Sequence, residues 1–298
     1  MKKIQTIGFL MATIVLASCN SGDDLADGYG NFEATETVIS AESNGKLLAF
    51  NIEEGKTLKM NDIVGYIDTI QLSLKKEQLL ATKNVINAKS DGVLSQISVL
   101  KAELKTATIS KNRIENLIKE EAGTQQQLDE VNGKIDVINQ QIRSVEVQNS
   151  SVINELKSLD AQIMQIEDQI SKSKIINPAQ GTVLVKYAEP FEIVGFGKPL
   201  YKIANLNSLQ LRVYVSETQL TSIKIGQKVT VKVDVAEGMK NYSGTITWIA
   251  SEAEFTPKII QTKEERVNLV YAVKIEVKND GNLKIGMPAE MWLSTTSN

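Results

Sequence analysis

The sequence predicts an α+β multidomain fold: a long antiparallel α-helical coiled-coil hairpin inserted into a split β-sandwich, followed by a small antiparallel β-barrel. Three observations support this prediction. Apolar residues recur every third and fourth residue through the middle of the chain. The two segments that flank this repeat resemble each other at an offset of 136 residues. The last third of the chain alternates apolar and polar residues, which is typical of strands with one buried face.

Residues 1–19 have the features of an export signal. Lys2 and Lys3 precede a mostly apolar stretch, Ile4–Leu16, that is too short to cross a bilayer with ease. The residues that follow, Leu16-Ala17-Ser18-Cys19, resemble a bacterial lipobox, and Cys19 is the single cysteine of the chain. We therefore predict lipid attachment at Cys19, with an ordinary signal peptide and a chance cysteine as the alternative.

Two segments of short strands follow and bracket the helical repeat. Residues 20–32 are rich in Gly, Asp, Asn and Ser, and this composition predicts a flexible tether. Residues 33–71 and 174–207 each contain short apolar runs broken by turn residues. Half a small β-sandwich cannot bury its apolar face alone, so we predict that the two halves fold together. Positions that match at the offset include Gly45 with Gly181, Leu47 with Val183, and Leu58 with Val194.

Residues 72–173 carry the helical repeat. Alternating steps of three and four keep one apolar seam along a helix and require a coiled-coil partner. Arms of nearly equal length on either side of Gly123 predict an antiparallel hairpin, each arm about 75 Å long. The seam of the second arm is polar only at Asn149, which we interpret as fixing the register; a tolerated polar defect is the alternative.

Residues 208–298 predict the barrel. Evenly spaced strands of alternating polarity, separated by turn residues, are typical of a small antiparallel barrel. Trp248 and Trp292 fall within these strands, and we predict that both belong to the core. The alternating segments are 209–215, 228–235, 243–250, 268–277 and 287–294.

Composition argues against several functions. The chain has no His and one Cys, which excludes Ser-His-Asp and Cys-His catalysis, His-ligated metals and an intrachain disulfide. No GxxxxGK[ST] or GxGxxG motif for phosphate binding occurs. The net charge is −3 and we find no basic stripe, which argues against a nucleic-acid partner. We therefore expect no enzymatic activity and no metal.

With this order of segments, the chain resembles the HlyD-family periplasmic adaptors, also called membrane fusion proteins. The resemblance lies in SNGKLLAFNIEEGKTLKMNDIVGYID, IINPAQGTVLVKYAEPFEIVGFGKPLYKIANLNSLQLRVYV and LKIGMPAEMWL. A further segment, ASEAEFTPKIIQTKEERVNLVYAVKIEV, resembles the adaptors that work with ABC-type exporters. The resemblance implies that the split sandwich is lipoyl-like. It implies no lipoyl cofactor, because the hairpin replaces the turn that would carry the modified lysine.

The resemblance also implies a docking site at the hairpin tip. Adaptors that dock on TolC-like channels share an Arg, a Leu four residues later and a Ser eleven residues after the Arg. Arg113, Leu117 and Thr124 stand at these spacings, with Thr in place of Ser. Without the resemblance, we would interpret them as a solvated charge, a seam Leu and a turn residue.

The function implied by the resemblance is that of an adaptor in the periplasm of a Gram-negative bacterium. It would be lipid-anchored to the inner membrane and link an inner-membrane exporter, of ABC type, to a TolC-like outer-membrane channel for efflux or secretion. The resemblance implies a homo-oligomer, either a trimer or a hexamer. Two alternatives stay open: a structural coiled-coil envelope lipoprotein with no transport role, and a carbohydrate- or lipid-binding module that uses exposed aromatic side chains of the barrel.

Overall fold

The computed structural model describes residues 26–236, 238–255 and 269–293. The chain divides into two compact units, one of Met1–Glu36 with Ala204–Asn298 and the other of Thr37–Ile203. The second unit contains a helical hairpin and a β-sandwich, and the first contains a β-barrel. The predicted fold class is therefore confirmed.

The hairpin consists of helix α1, Ile70–Lys119, and helix α2, Gln125–Lys172, with 50 and 48 residues. None of the five prolines lies within either helix, so no proline interrupts the backbone hydrogen bonds. Three ion pairs join the helices: Lys76 with Glu167 (2.8 Å), Lys83 with Asp160 (2.6 Å) and Lys89 with Glu155 (3.5 Å). The seam buries Leu79, Ile86, Val93, Ile97 and Ala107 of α1 and Ile138, Ile142, Val145, Val152, Leu159 and Ile163 of α2.

The polar seam residue has a polar neighbour on the opposite helix. The Ser90 hydroxyl donates to the Asn149 side-chain oxygen over 3.5 Å, and both side chains are half-buried. This hydrogen bond is long, so it contributes little stability. It nevertheless places the two polar seam positions opposite each other, which is the arrangement that a register-fixing residue needs.

The helices are joined by a tight turn at residues 120–124. The backbone N–H of Ala122 donates to the carbonyl of Leu117 (2.8 Å), and that of Glu121 donates to the carbonyl of Ile118 (3.0 Å). This pair of hydrogen bonds is the Schellman motif, which requires one residue in the left-handed region. Glu121 occupies that position with φ 60°, where glycine is usual.

The β-sandwich is built from two four-stranded sheets, and each sheet takes two strands from each half of the repeat. One sheet contains β2 (Glu36–Ser40), β4 (Thr57–Leu58), β7 (Gly181–Lys186) and β9 (Pro199–Ala204). The other contains β3 (Gly45–Phe50), β5 (Ile63–Ile67), β6 (Lys174–Ile176) and β8 (Ile193–Val194). The predicted association of the two halves is thus confirmed.

The pairing between the halves follows the internal repeat. Gly45 of β3 lies opposite Val194 of β8, and Gly181 of β7 lies opposite Leu58 of β4. The offset of 136 residues interchanges these two pairs. The backbone hydrogen bonds are related by the same offset. The Leu47 N–H donates to the Glu192 carbonyl (2.8 Å), and the Val183 N–H donates to the Lys56 carbonyl (2.9 Å). The degenerate sequence repeat therefore corresponds to a two-fold structural repeat.

The barrel is closed by six strands. These strands are β1 (Gly28–Glu33), β10 (Ser208–Val215), β11 (Lys228–Val235), β12 (Gly238–Ile249), β14 (Leu269–Lys278) and β15 (Pro288–Leu293). Their order around the barrel is β10, β1, β15, β11, β12 and β14, and β14 pairs back with β10. The short strand β13 (Glu254–Phe255) also pairs with β14, and the four-residue helix α3 (Glu217–Leu220) follows β10.

Strand β1 occupies part of the segment that was predicted to be a flexible tether. The prediction of a flexible segment over residues 20–32 is wrong for residues 28–32, which pair with β10 and β15. Glycine and asparagine are depleted in strands, so the composition of this segment hid the strand. Gly30 is required there, because a Cβ at this position would lie 1.8 Å from the carbonyl oxygen of Arg212. Residues 33–36, predicted as part of the sandwich, also belong to the barrel unit.

Replacement of Asn149 by Leu should raise the free energy of unfolding of the hairpin by about 1 kcal/mol, because Leu adds buried apolar surface to the seam. Thermal unfolding followed by circular dichroism measures the change. Asn149→Ala, which removes the amide without adding apolar volume, is the control. A lower melting temperature for Asn149→Leu would show that the Ser90–Asn149 pair stabilises the hairpin.

Replacement of Glu121 by Gly should raise the free energy of unfolding by about 0.5–1 kcal/mol, because glycine adopts the left-handed backbone without steric cost. Urea unfolding of the purified chain gives the value. Ala122→Gly is the matched control, since Ala122 is not left-handed and glycine there should lower stability. An equal change in the free energy of unfolding for both substitutions would show that the backbone at Glu121 is not strained.

Candidate functional site

The candidate site is the tip of the hairpin, and the structure places the three predicted docking residues near it. Arg113 and Leu117 lie on the last two turns of α1, and Thr124 directly precedes α2. All three are exposed. Arg113 and Leu117 are one helical turn apart and therefore share a face. The three side chains lie within about 10 Å of the end of the hairpin along its axis.

Thr124 has a structural role that the sequence pattern did not reveal. It is the N-cap of α2, and its hydroxyl oxygen accepts from the backbone N–H of Gln127 (3.3 Å). The Gln127 side chain accepts in turn from the backbone N–H of Thr124 (3.0 Å). Together these bonds form a capping box, which fixes the start of the helix. The hydroxyl proton of Thr124 is not used by the cap, so it can be donated to a partner.

The side chains of the other two tip residues are exposed to solvent. Arg113 forms no ion pair with the described residues, whereas the neighbouring Lys111 pairs with Glu115 (3.8 Å). The Leu117 side chain is 39% exposed, although its position belongs near the seam. The tip therefore presents a planar cation with several hydrogen-bond donors, an apolar group and a hydroxyl, which can together contact carbonyls, carboxylates and a shallow apolar groove.

A buried polar cluster connects the base of the hairpin to the sandwich. The hydroxyl of Ser173, the C-cap of α2, donates to Ser43 (3.0 Å), and both residues are buried. The Asn177 amide donates to the carbonyls of Lys59 (2.8 Å) and Ala179 (2.6 Å), and its oxygen accepts from Tyr201 (3.0 Å). Burial raises the pKa of the Tyr201 hydroxyl above its usual value, so Tyr201 stays protonated.

The sequence pattern did not predict these buried hydrogen bonds. The Asn177-Pro178 pair indicated only a turn, and Ser43 and Tyr201 lie far from it in the sequence. The hydrogen bonds matter because each buried polar group that loses its partner costs about 1–3 kcal/mol. The Ser173–Ser43 hydrogen bond joins the end of α2 to the sandwich, whereas the Asn177 hydrogen bonds lie within the sandwich.

The two tryptophans are not part of the barrel core, so this prediction is wrong. Trp248 is 40% exposed, with the Lys274 ammonium 5.3 Å from its ring centroid. Trp292 is half-buried, with the Lys232 ammonium 3.7 Å from its ring centroid. In β15 the alternation turns Met291 inward and Trp292 outward. Each ring contacts a lysine, and the two rings form no aromatic pair among the described residues.

The predicted lipid-attachment residue Cys19 lies outside the described residues. None of the helices that the structure describes combines the length and the apolar character needed to cross a membrane. Within the described ranges, no three Cys, Asp or Glu side chains are grouped as a metal site requires.

Residues 209–292 match the family model of the YknX-like β-barrel domain. Curated relatives match along nearly the whole chain. The UPF0194 membrane protein YbhG of Salmonella typhi is 26% identical over 97% of this chain and 96% of the relative. The UPF0194 membrane protein encoded in the asrC 5′ region of Acidithiobacillus ferridurans is 23% identical over 91% of this chain and 87% of the relative.

Solved structures share the fold. MacA from Actinobacillus actinomycetemcomitans superposes with a TM-score of 0.57 at 19% identity, over 90% of this chain and 78% of MacA. The membrane fusion protein Spr0693 from Streptococcus pneumoniae R6 gives 0.51 at 15% identity, over 88% of this chain and 96% of Spr0693. The barrel domain, the coverage and the fold agree: the chain has a YknX-like β-barrel domain and the fold of MacA and of the membrane fusion protein Spr0693, as its resemblance to the HlyD family predicts.

Proposed function

We propose that the chain links an inner-membrane exporter, of ABC type, to a TolC-like outer-membrane channel in efflux or secretion. The observation that carries this proposal is the rod of paired helices, which ends in the exposed side chains of Arg113, Leu117 and Thr124. An arm of about 70–75 Å is far longer than a small domain needs for its own stability. Its use is to carry these three side chains away from the sandwich.

The N-terminal segment indicates which domain would lie near the membrane. If Cys19 carries lipid, Asp27 is only the eighth residue after it, and the Asp27 N–H donates to the carbonyl of Met291 in the barrel (3.0 Å). Eight extended residues reach at most about 28 Å. The barrel would then stay close to the membrane, where an exporter is located. The resemblance of residues 250–277 to adaptors that work with ABC-type exporters is what supports an exporter of this type.

The alternative of a purely structural envelope lipoprotein predicts that the chemistry of the tip is unimportant. It would be sufficient for such a protein that the rod folds and spans a distance. The two functions therefore differ in what happens when the tip is changed without disturbing the helices. Thr124 permits this comparison because its structural and docking roles use different atoms.

Substitution of Thr124 by Asp should reduce export by about tenfold or more, because aspartate keeps the N-cap but cannot donate a hydrogen bond. Thr124→Ser, which keeps both the cap and the O–H donor, should retain export. Helix content and melting temperature should be unchanged in both variants. Export is measured with the cognate transporter and channel present, and full export by Thr124→Asp would contradict docking through this hydroxyl.

Substitution of Cys19 by Ala should release the protein from the inner-membrane fraction, because several acyl chains, each adding about 0.8 kcal/mol per buried methylene, would hold the natural protein there. Labelling with a radioactive fatty acid followed by membrane fractionation tests this. Ser18→Ala is the matched control and should leave labelling intact. Lipid label or membrane retention in Cys19→Ala would exclude an anchor at this residue.

A further inference from the structure

A polar layer interrupts the apolar seam of the hairpin. It consists of Ser90 of α1 and Asn149 of α2, which are half-buried and joined by the hydrogen bond of 3.5 Å. Counted along α1, the layer lies about 30 Å from the base of the rod and about 44 Å from its tip. It divides the rod into a shorter basal segment, residues 70–89 with 150–172, and a longer distal segment, residues 91–148.

The buried apolar contacts of the two segments are separate. One cluster of buried side chains lies in the basal segment, and two clusters that are linked through Leu100 lie in the distal segment. No residue of the described hairpin is shared between the basal cluster and a distal one. Burial of apolar surface is the main force that holds two such helices together, so the rod is held least firmly at the polar layer. The basal cluster contains Leu79, Ile86, Val152, Leu159 and Ile163, and the distal clusters contain Val93, Ile97 and Val145, and Ala107, Ile138 and Ile142.

The ion pairs between the helices are distributed in the same way. All three pairs lie in the basal segment, and they are Lys76 with Glu167, Lys83 with Asp160, and Lys89 with Glu155. The pair beside the polar layer is the longest of them, at 3.5 Å. Within residues 91–148, which the structure describes throughout, no ion pair joins α1 to α2, and the pair of Lys111 with Glu115 lies within α1. Exposed pairs contribute little each, but only the basal segment has them.

Residues that disfavour a helix occur at the polar layer in both helices. Residues 90–92 of α1 are Ser-Asp-Gly, and residues 149–151 of α2 are Asn-Ser-Ser. The contacts of Ser90 with Asn149 and of Lys89 with Glu155 place these two triplets side by side. Ser, Asp and Asn compete with the helix for backbone hydrogen bonds, and Gly loses the most backbone freedom in a helix. Pairs of Gly and Ser are also the usual site of a kink in a helix without proline.

Gly92 is not required by packing within the hairpin. A Cβ at this position would meet nothing within 4 Å, so alanine would fit and would favour the helix. The glycine therefore adds conformational freedom at the height where the seam is polar. Gly133 of α2 is equally without neighbours, but it lies beside the apolar cluster of Ala107 and Ile138. It is thus the matched control for Gly92.

The register of the hairpin is also fixed without this layer. At the tip it is fixed by the turn at residues 120–124, and at the base by the pairing of β5 with β6, which directly flank the two helices. A slip by one residue would require both ends to rearrange. Polar seam residues specify register chiefly where the helices belong to separate chains. In one connected hairpin the layer can therefore serve another purpose.

We propose that the Ser90–Asn149 layer is a hinge, at which the distal segment changes its angle to the basal segment while the seam on either side stays packed. Opening the layer breaks one long hydrogen bond and separates no pair of large apolar side chains. Bending within either segment would instead pull buried Ile, Leu and Val apart. The proposal rests on the adaptor function in one respect: the hinge lets the tip follow a channel while the basal segment stays joined to the sandwich through Ser173 and Ser43.

Distances between pairs of spin labels test the hinge in the purified, full-length protein. Labels on cysteines introduced at Ala81 and Ala102 span the layer, whereas labels at Ser95 and Asn116 have the same separation in sequence but lie within the distal segment. All four positions are exposed, and a straight helix places both pairs about 31 Å apart. The chain without introduced cysteines gives the contribution of Cys19. The distance distribution should be about twice as broad, or more, for the pair that spans the layer. Equal widths would overturn the hinge.

A variant with a repaired seam separates the hinge from the fold. Ser90→Ile with Asn149→Val reproduces the Ile–Val layer on the basal side, and Gly92→Ala restores helix propensity. In this triple variant the spanning distribution should become as narrow as the distal one, and the melting temperature should rise. Gly92→Ala alone should narrow it in part, which keeps the test valid if the triple variant does not fold. Gly133→Ala should leave the width unchanged. A distribution that stays broad in the repaired variants would overturn the proposal.

Export by the triple variant tests whether the adaptor uses the hinge. It should fall by about threefold or more, because a stiff rod cannot adjust the position of its tip. Gly133→Ala should export normally, and the amount of protein in the membrane should be equal in both variants. Full export by a variant whose distance distribution has narrowed would show that export does not need the hinge. The distances are measured without transporter or channel, whereas the Thr124 variants report docking, so the hinge and the adaptor function can fail independently.

Discussion

The structure depends on the exchange of strands between the two halves of the sandwich. Gly45 opposite Val194 and Leu58 opposite Gly181 are pairs between segments separated by the whole hairpin. Neither half can bury Leu47, Val183 or Leu200 without the other, because each sheet takes strands from both. The pairing therefore forces the two ends of the helical segment together. The antiparallel coiled coil requires the same closure, so the two interactions support each other.

The elements with a repeating sequence pattern were predictable from the sequence, whereas the features that occur only once were not. Seam and barrel strands have a period that many residues support, so a few exceptions such as Asn149 do not hide it. Strand β1 was missed because its pairing depends on Gly30, a poor strand former that only the approach of Arg212 explains. The prediction that the two tryptophans lie in the core failed because alternation identifies the two faces of a strand without showing which face is buried. The docking residues were found from family spacing. The capping role of Thr124 is a local contact with Gln127, whose Thr-x-x-Gln spacing is visible in the sequence, whereas the hydrogen bonds of Ser173 and Asn177 depend on tertiary contacts.

Strand β1 has a consequence for the biogenesis of the protein. It lies between β10 and β15, so the barrel is completed by the first and the last strand of the described chain. The two are separated by more than 250 residues of intervening chain. Pairs so distant in sequence form late, since a long loop must close before they gain any stability. A chain cut short before Pro288 would fold its hairpin but leave β1 with a free edge. Barrel closure therefore requires both ends of the described chain, and β1 is the strand that an unfinished chain leaves with an unpaired edge.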